Sequence, residues 1–136
     1  MAPAGYSGTP LLKKLGIKND TRLLLLHGPP HYDQLLEKDT SAHRCSSRQD
    51  ATMVHLFAGS KKIFEKEMAA LQPAWKKNSA LVIWVSWYKK SAGIATDLNE
   101  DIIRNYALAH GLVDIKVCAV DESWSGLKLV VPTRFR

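Results

Sequence analysis

Apolar residues along this chain fall into uninterrupted runs, and these runs predict the strands of a sheet. The longest covers residues 80–87, where seven of eight residues are apolar. A similar run covers residues 22–27, and residues 52–58 predict a third strand. Runs that do not alternate with polar residues are typical of strands covered on both faces, as in a parallel sheet with helices above and below. We therefore expect residues 80–87 to form the central strand.

In the segments around these strands, apolar residues recur at the spacing typical of a helix. Helices are predicted over residues 10–15, 32–37, 61–71 and 97–110. The last has the clearest pattern, and Asp97 with Glu100 forms a capping-box-like start. We expect Pro73 to end the third helix and Gly111 to end the fourth, because proline breaks the helical hydrogen-bond ladder and glycine adopts the left-handed conformation that follows a helix.

The order of these elements predicts the fold class. Strands and helices alternate up to residue 110, and two further strands, at residues 113–120 and 127–131, then follow around a turn. This order predicts a single α/β domain over residues 1–136, a three-layer Rossmann-like sandwich. We expect a mostly parallel sheet with a C-terminal antiparallel hairpin. The polar segment 39–49 is interpreted as a loop or a weak edge strand.

Charge and cysteine content narrow the classes of partner. The formal net charge is +6 and the isoelectric point is about 9.4, which favours anionic partners such as nucleotides, phosphates or nucleic acid. The alternative is a solubilising charge spread over the surface, since the lysines come in scattered pairs. No apolar run is long enough to span a membrane, no signal peptide is evident, and the two cysteines form no pattern. We therefore expect a cytoplasmic protein without a membrane partner.

Several stretches at the two ends of the chain resemble one known family. They are residues 5–11, 14–17, 96–98, 111–114, 116–122 and 124–128. Together they are similar to the bacterial domain-of-unknown-function family 3052, and the similarity extends over nearly the whole chain. This resemblance implies membership of a family and no particular activity.

The strand order also resembles the second half of the class I methyltransferase fold, in which a terminal hairpin follows alternating strands and helices. Such a fold has a glycine-rich turn after its first strand, where the backbone approaches the ligand. Here that turn reads His27-Gly28-Pro29-Pro30-His31, with one glycine and two prolines. The similarity implies a methyltransferase-like enzyme, but the turn identifies no cofactor.

Polar and basic side chains follow the predicted parallel strands, at the edge where open α/β sheets bind ligands. The candidate ligand-binding residues are His27, His31, Ser60, Lys61, Lys62, Lys89, Lys90, Ser91, Thr96 and Asp97. Trp87 and Tyr88 would form an aromatic wall beside them. Lysines at a helix N-terminus are unfavourable by about 0.3–1 kcal/mol each, and a bound anion would reverse this. A phosphate or carboxylate ligand at Ser60–Lys62 and residues 89–91 is therefore one hypothesis, and simple tolerance of exposed lysines is the alternative.

The tip of the predicted hairpin is a second candidate surface. Asp121, Glu122 and Trp124 could contact a ligand or a partner chain, or could form a solvated turn with Trp124 folded back onto the core. The sequence contains no catalytic motif. His43 and Cys45 lack two further ligands for a metal, and we expect Cys118 to be a small, buried apolar residue.

These observations leave three functions open. The first is a small binding or accessory domain with an anion-accepting cleft, which binds an anionic small molecule or a protein partner. The second is a methyltransferase-like enzyme that uses the same cleft. The third is a nucleic-acid-binding module, in which lysines interleaved with aromatic residues at 75–77 and 87–90 stack bases and hold phosphates.

Overall fold

The computed structural model of the protein describes residues 9–135 and contains one five-stranded sheet and four helices. Part of the family-like stretch 5–11, and the ends of the predicted domain, lie outside the described residues. The strands are β1 (Leu23–Leu26), β2 (Met53–Phe57), β3 (Val82–Tyr88), β4 (Val113–Ala119) and β5 (Trp124–Val130). The helices are α1 (Leu11–Leu15), α2 (Tyr32–Leu36), α3 (Lys61–Lys77) and α4 (Glu100–Ala109).

The sheet is mixed, with the order β1-β2-β3-β5-β4. β1, β2 and β3 run parallel, whereas β5 pairs antiparallel with both β3 and β4. The α/β class and the C-terminal antiparallel hairpin are therefore confirmed. The predicted mostly parallel sheet is not, because two of the four strand pairings are antiparallel. A short turn can join β4 and β5 only as an antiparallel pair, and β5 then lies beside β3 in the opposite direction.

Helices cover both faces of the sheet, as the unbroken apolar run at residues 80–87 predicts. Successive residues of β3 point to opposite faces. Ile83 packs in one core cluster with Met68 of α3 and Ile103 of α4. Trp84 packs in the other cluster with Leu15 of α1, and its indole Nε1 donates to the Leu15 carbonyl at 3.0 Å. β3 is thus the central strand of the domain.

The third helix continues past the proline that was expected to end it. α3 runs to Lys77 with Pro73 inside it. Pro73 is exposed, whereas Leu71 and Trp75 on either side of it are buried in the core. Burial of an aromatic side chain contributes enough to hold the final turn despite the lost backbone hydrogen bond.

The start of the fourth helix also differs from the prediction. The N-cap of α4 is Asn99, whose side chain accepts a hydrogen bond from the Ile102 amide at 2.9 Å. The predicted capping box of Asp97 and Glu100 is therefore wrong, because the Asp97 carboxylate accepts a hydrogen bond from the Lys61 amide instead.

The polar segment 39–50 is mostly irregular. It contains a 3₁₀ turn at Ser41–His43 and a single parallel bridge between Arg44 and Leu23. The Cys45 amide donates to the Leu23 carbonyl at 2.9 Å, which covers part of the outer edge of β1. Of the two predicted alternatives, the loop is confirmed, and a single bridge takes the place of an edge strand. No helix within residues 9–135 has the length and apolar character needed to cross a membrane.

Candidate binding site

A cavity of about 760 Å³ opens at the carboxyl end of β3 and is lined by residues 87–90 and 94–101. Because β1, β2 and β3 are parallel, their carboxyl ends meet at this edge of the sheet. The chain leaves β3, forms a 3₁₀ turn at Lys90–Ala92, and reverses at Gly93 before it enters α4. Gly93 has φ 68°, a left-handed conformation that glycine adopts without strain.

Four of the predicted ligand-binding residues line this cavity, together with both residues of the predicted aromatic wall, whose side chains lie on opposite faces of the sheet and form no single wall. They are Lys89, Lys90, Thr96 and Asp97, beside Trp87 and Tyr88. Ser91 lies in the same 3₁₀ turn and is exposed, although it is not a lining residue. The loop from β3 to α4 therefore supplies most of the site.

The N-terminus of α3 borders this loop, and its first turn already holds a carboxylate of the chain. Asp97 Oδ1 accepts a hydrogen bond from the Lys61 amide at 2.8 Å, and Ser60 Oγ accepts one from the Ile63 amide at 3.2 Å. Thr96 Oγ1 donates to the Gly59 carbonyl at 3.0 Å. An external anion at residues 60–62 would have to displace the Asp97 carboxylate. Anion binding at Ser60, Lys61 and Lys62 thus stays a prediction.

The carboxylates around the cavity are engaged, whereas its lysines are not. Arg104 donates to both Glu100 and Asp101 from α4, and its Nε donates to Asp114 of β4 at 3.0 Å. The hydrogen bonds that Arg104 donates to Glu100 and Asp114 raise the pKa of its guanidinium above its ordinary value. The third lining carboxylate, that of Asp97, caps α3.

The ammonium groups of Lys89 and Lys90, in contrast, form no ion pair with any residue from 9 to 135. Lys89 is half-buried and Lys90 is exposed at the mouth of the cavity. Lys89 and Lys90 are therefore the charged lining residues whose side chains have no hydrogen-bonding partner among the described residues.

The two predicted histidines lie outside the cavity, and each contacts a carboxylate. His27 Nε2 lies 2.6 Å from Glu67 Oε2 on α3. His31 Nε2 lies 3.2 Å from Asp121 Oδ2 at the tip of the β4–β5 hairpin. Neither histidine lines the cavity, although the contact with Asp121 brings His31 to the hairpin tip, where the Ser123 carbonyl accepts a hydrogen bond from the Lys89 amide at 2.9 Å.

The hairpin tip folds back onto the core. Trp124 is only 9% exposed and stacks on Tyr88, with the ring centroids 4.0 Å apart. Asp121 Oδ1 accepts hydrogen bonds from the amides of Ser123 and Trp124, as in a tight polar turn. Trp124 thus packs on Tyr88, and Asp121 and Glu122 remain as candidate partner contacts.

A buried hydrogen-bond network, which the sequence pattern did not predict, connects three side chains across the sheet. Tyr32 Oη lies 2.9 Å from His55 Nδ1, and His55 Nε2 lies 2.8 Å from Ser86 Oγ. Burial lowers the pKa of His55 to about 3, so its imidazole is neutral at physiological pH. The only signal in the sequence was one polar residue inside each of two apolar runs. Because His55 and Ser86 are fully buried, a substrate cannot reach this hydrogen-bond network.

Two further cavities lie at the opposite edge of the sheet. One, of about 790 Å³, lies between residues 46–51 and the C-terminal half of α3; the other, of about 500 Å³, lies between the C-terminal ends of α3 and α4. Ligands of open α/β sheets bind at the carboxyl ends of the parallel strands, which favours the cavity beside Lys89.

Neither a metal centre nor an activated thiol is apparent in the described part of the chain. No group of three or more histidine, cysteine, aspartate or glutamate residues there could hold a metal ion. Cys118 is half-buried rather than fully buried, and burial raises the pKa of its thiol, which keeps it protonated. Comparisons of the chain with models of known protein families and with curated proteins found no match.

Proposed function

We propose that this chain is a binding or accessory domain whose cleft beside β3 takes a small anionic molecule. The observation that carries the proposal is the charge state of the cleft. Its three carboxylates, those of Asp97, Glu100 and Asp101, are held by the amide of Lys61 or by Arg104. The side chains of Lys89 and Lys90 form neither an ion pair nor a hydrogen bond among the described residues, and two such free ammonium groups favour an anion.

The backbone around the cleft favours the same ligand chemistry. The N-terminal turn of α4, residues 99–101, lines the cavity. Asn99 caps the amide of Ile102, which leaves the first amides of the helix free for an anion. Ile94 is 44% exposed at the rim and Tyr88 lies beside the lysines. A phosphate or carboxylate attached to an apolar or aromatic group fits this combination best.

We also propose that the domain is a three-layer, Rossmann-like sandwich. Three parallel strands with helices over both faces support a three-layer, Rossmann-like arrangement, to which the hairpin adds antiparallel strands. The similarity to family 3052 and the cytoplasmic location stay predictions.

A titration followed by NMR tests the binding function. Inorganic phosphate, and then adenosine monophosphate, are added to ¹⁵N-labelled protein, and we expect saturable shifts at residues 89–91 and 99–101. The double variant Lys89→Gln/Lys90→Gln should weaken binding about tenfold, as expected for two lost charge-assisted contacts. Lys76→Gln/Lys77→Gln, an exposed lysine pair on α3, is the matched control and should leave binding unchanged. The absence of shifts at the cleft, or an equal loss in both variants, would contradict the proposal.

The same samples separate the two rival functions. If the protein is a methyltransferase-like enzyme, S-adenosylmethionine should change the chemical shifts of the cleft amides. The turn after β1 disfavours this function, because Gly28 packs against the Leu25 side chain and forms no open cradle for a cofactor. A nucleic-acid-binding module should be retained on heparin in a salt-dependent way that the control pair also alters. Trp75 and Trp87 are both buried, which leaves them unable to stack bases.

A further inference from the structure

β4 forms an open edge of the sheet and presents apolar side chains there. It is the last strand in the order, and no strand pairs with its outer side among the described residues. Ile115 and Val117 are 55% and 50% exposed. The pairing with β5 passes from Asp114 to Lys116, so that Ile115 lies in a bulge without a partner.

On the α4 side of this edge, exposed apolar side chains lie beside the ion pair of Arg104 and Asp114. Val117 lies opposite Leu127, whose side chain belongs to the core under α3 and α4. Residues directly opposite one another in paired strands share a face, so Val117 lies on the α4 side. Leu108 of α4 is 57% exposed and lies one turn beyond Arg104, which contacts β4 through Asp114. An extended chain beside β4 would therefore find apolar contacts on this side.

The other face of the edge is cationic. Lys116 lies directly opposite Lys128, and Lys128 in turn lies opposite Trp84, whose side chain packs in the α1 and α2 core. Lys116 Nζ also donates to the Lys14 carbonyl at 3.2 Å, which brings the α1 lysine beside the pair. Like charges directly opposite one another are unfavourable. None of the three lysines forms an ion pair within residues 9–135.

These charges disfavour a second copy of the chain at this edge. Two β4 strands paired antiparallel about a twofold axis would bring both lysine groups together, in a protein that already has a net charge of +6. Lysines and bulges on edge strands prevent indiscriminate pairing between sheets. A strand that carries acidic residues would be attracted by these lysines and not repelled.

We propose that the β4 edge binds an extended segment of a partner protein in which apolar and acidic residues alternate. The segment adds to the sheet as a sixth strand through main-chain hydrogen bonds. Its apolar residues contact Val117 and Leu108, and its acidic residues face Lys14, Lys116 and Lys128. This surface is separate from the cleft at the carboxyl end of β3, so the proposal does not depend on the proposed function.

Synthetic peptides test the proposal on the intact protein. The probe is a capped peptide of sequence Glu-Val-Glu-Ile-Glu-Val-Glu. One control peptide replaces every glutamate by lysine, and a second groups the same residues into an acidic and an apolar block. We expect only the alternating acidic peptide to bind saturably and to slow hydrogen exchange at outward-facing amides of residues 113–119.

Two charge reversals distinguish directed binding from general attraction. Lys116→Glu should weaken binding at least about tenfold, and the milder Lys116→Gln should weaken it less. Lys66→Glu on the exposed side of α3 makes the same charge change elsewhere and should have no effect. Both sites are exposed, and near-ultraviolet circular dichroism verifies that each variant is folded.

Three outcomes would overturn the proposal. The first is an absence of protection in β4 at saturating peptide. The second is an equal loss of binding in Lys116→Glu and Lys66→Glu, or equal binding of the block peptide. The third is self-association of the protein alone in sedimentation, with protection of β4, which would assign this edge to a second copy.

Discussion

His55 lies between a phenol and a hydroxyl in the centre of the sheet, and its burial there keeps the imidazole neutral. One imidazole nitrogen carries a proton in the neutral ring, so one neighbour accepts and the other donates. A protonated ring would require both neighbours to accept and would place a charge in the core. Tyr32 is itself buried, which raises the pKa of its phenol, so that neutral hydrogen-bonding groups surround the ring.

The burial of His55 predicts an acid-sensitive fold. Its pKa is about 3 in the folded state, against 6.5 for the free side chain, so the unfolded chain binds more protons below about pH 6.5. Stability is therefore lost as the pH falls from about 6.5 towards 3, by at most about 1.4 kcal/mol per pH unit from this group. Urea unfolding between pH 7 and pH 4 should show this slope, and His55→Gln should reduce it.

His43→Gln provides the comparison for this measurement, because His43 is only half-buried. It should retain the slope of the unmodified protein. Equal slopes for His55→Gln and the unmodified protein would show that His55 does not govern the acid response.

At this scale the sequence indicated burial better than it indicated hydrogen bonding. The apolar runs correctly placed Leu81 and residues 83–87 in the core, whereas Ala80 is exposed and precedes β3. They gave no means of pairing His55 with Ser86, which are 31 positions apart and meet only through strand register. Trp124 shows the opposite case, since its position after a polar turn was sufficient to consider that it folds back.

Among the elements, α3 and α4 depend on contacts that local rules do not contain. Proline and capping preferences predicted an end at Pro73 and a start at Asp97. Burial of Trp75 extends α3 beyond Pro73. The Asp97 carboxylate accepts a hydrogen bond from the Lys61 amide of α3 and is therefore not part of the N-terminus of α4. Gly16, with φ 83° at the C-cap of α1, shows that a local rule holds where no tertiary contact competes.

The cap that Asp97 supplies to α3 leads to a stability prediction. Asp97→Ala removes the acceptor of the Lys61 amide and a negative charge at the positive end of the helix dipole. We expect a loss of about 1 kcal/mol in the free energy of unfolding, as for other N-terminal caps. Glu122→Ala, at an exposed acid in a turn, should change it by less than about 0.5 kcal/mol. Similar values for the two variants would show that Asp97 does not act as a cap.

Across the whole molecule, the order of strands could not be derived from the order of elements. Either β4 or β5 could pair with β3, and the two arrangements have the same pattern of apolar and polar residues along the chain. The structure places β5 between β3 and β4. The same limit applies to the site. Strand direction placed the lysines correctly at the carboxyl edge, but it could not show that His27 lies against Glu67 and His31 against Asp121.

This architecture predicts a gradient of hydrogen exchange. β3 is paired on both sides and buried, so its amides should exchange only through global unfolding. Amides of β4 that do not bond to β5 should exchange at least about a hundredfold faster, because local opening suffices. Exchange measured by NMR at a protein concentration too low for association checks this. Equally slow exchange in both strands would show that the outer edge of β4 is covered in solution.

The carboxylate of Asp97 belongs to two structures at once, since it closes the first turn of α3 and borders the cleft beside β3. The mouth of the cleft cannot widen at this residue without breaking the bond to Lys61 and wetting the amide behind it. Opening of the cleft at Asp97 thereby removes the acceptor of the first amide of α3, and a cationic guest that attracts this carboxylate would weaken the first turn of this helix as it enters.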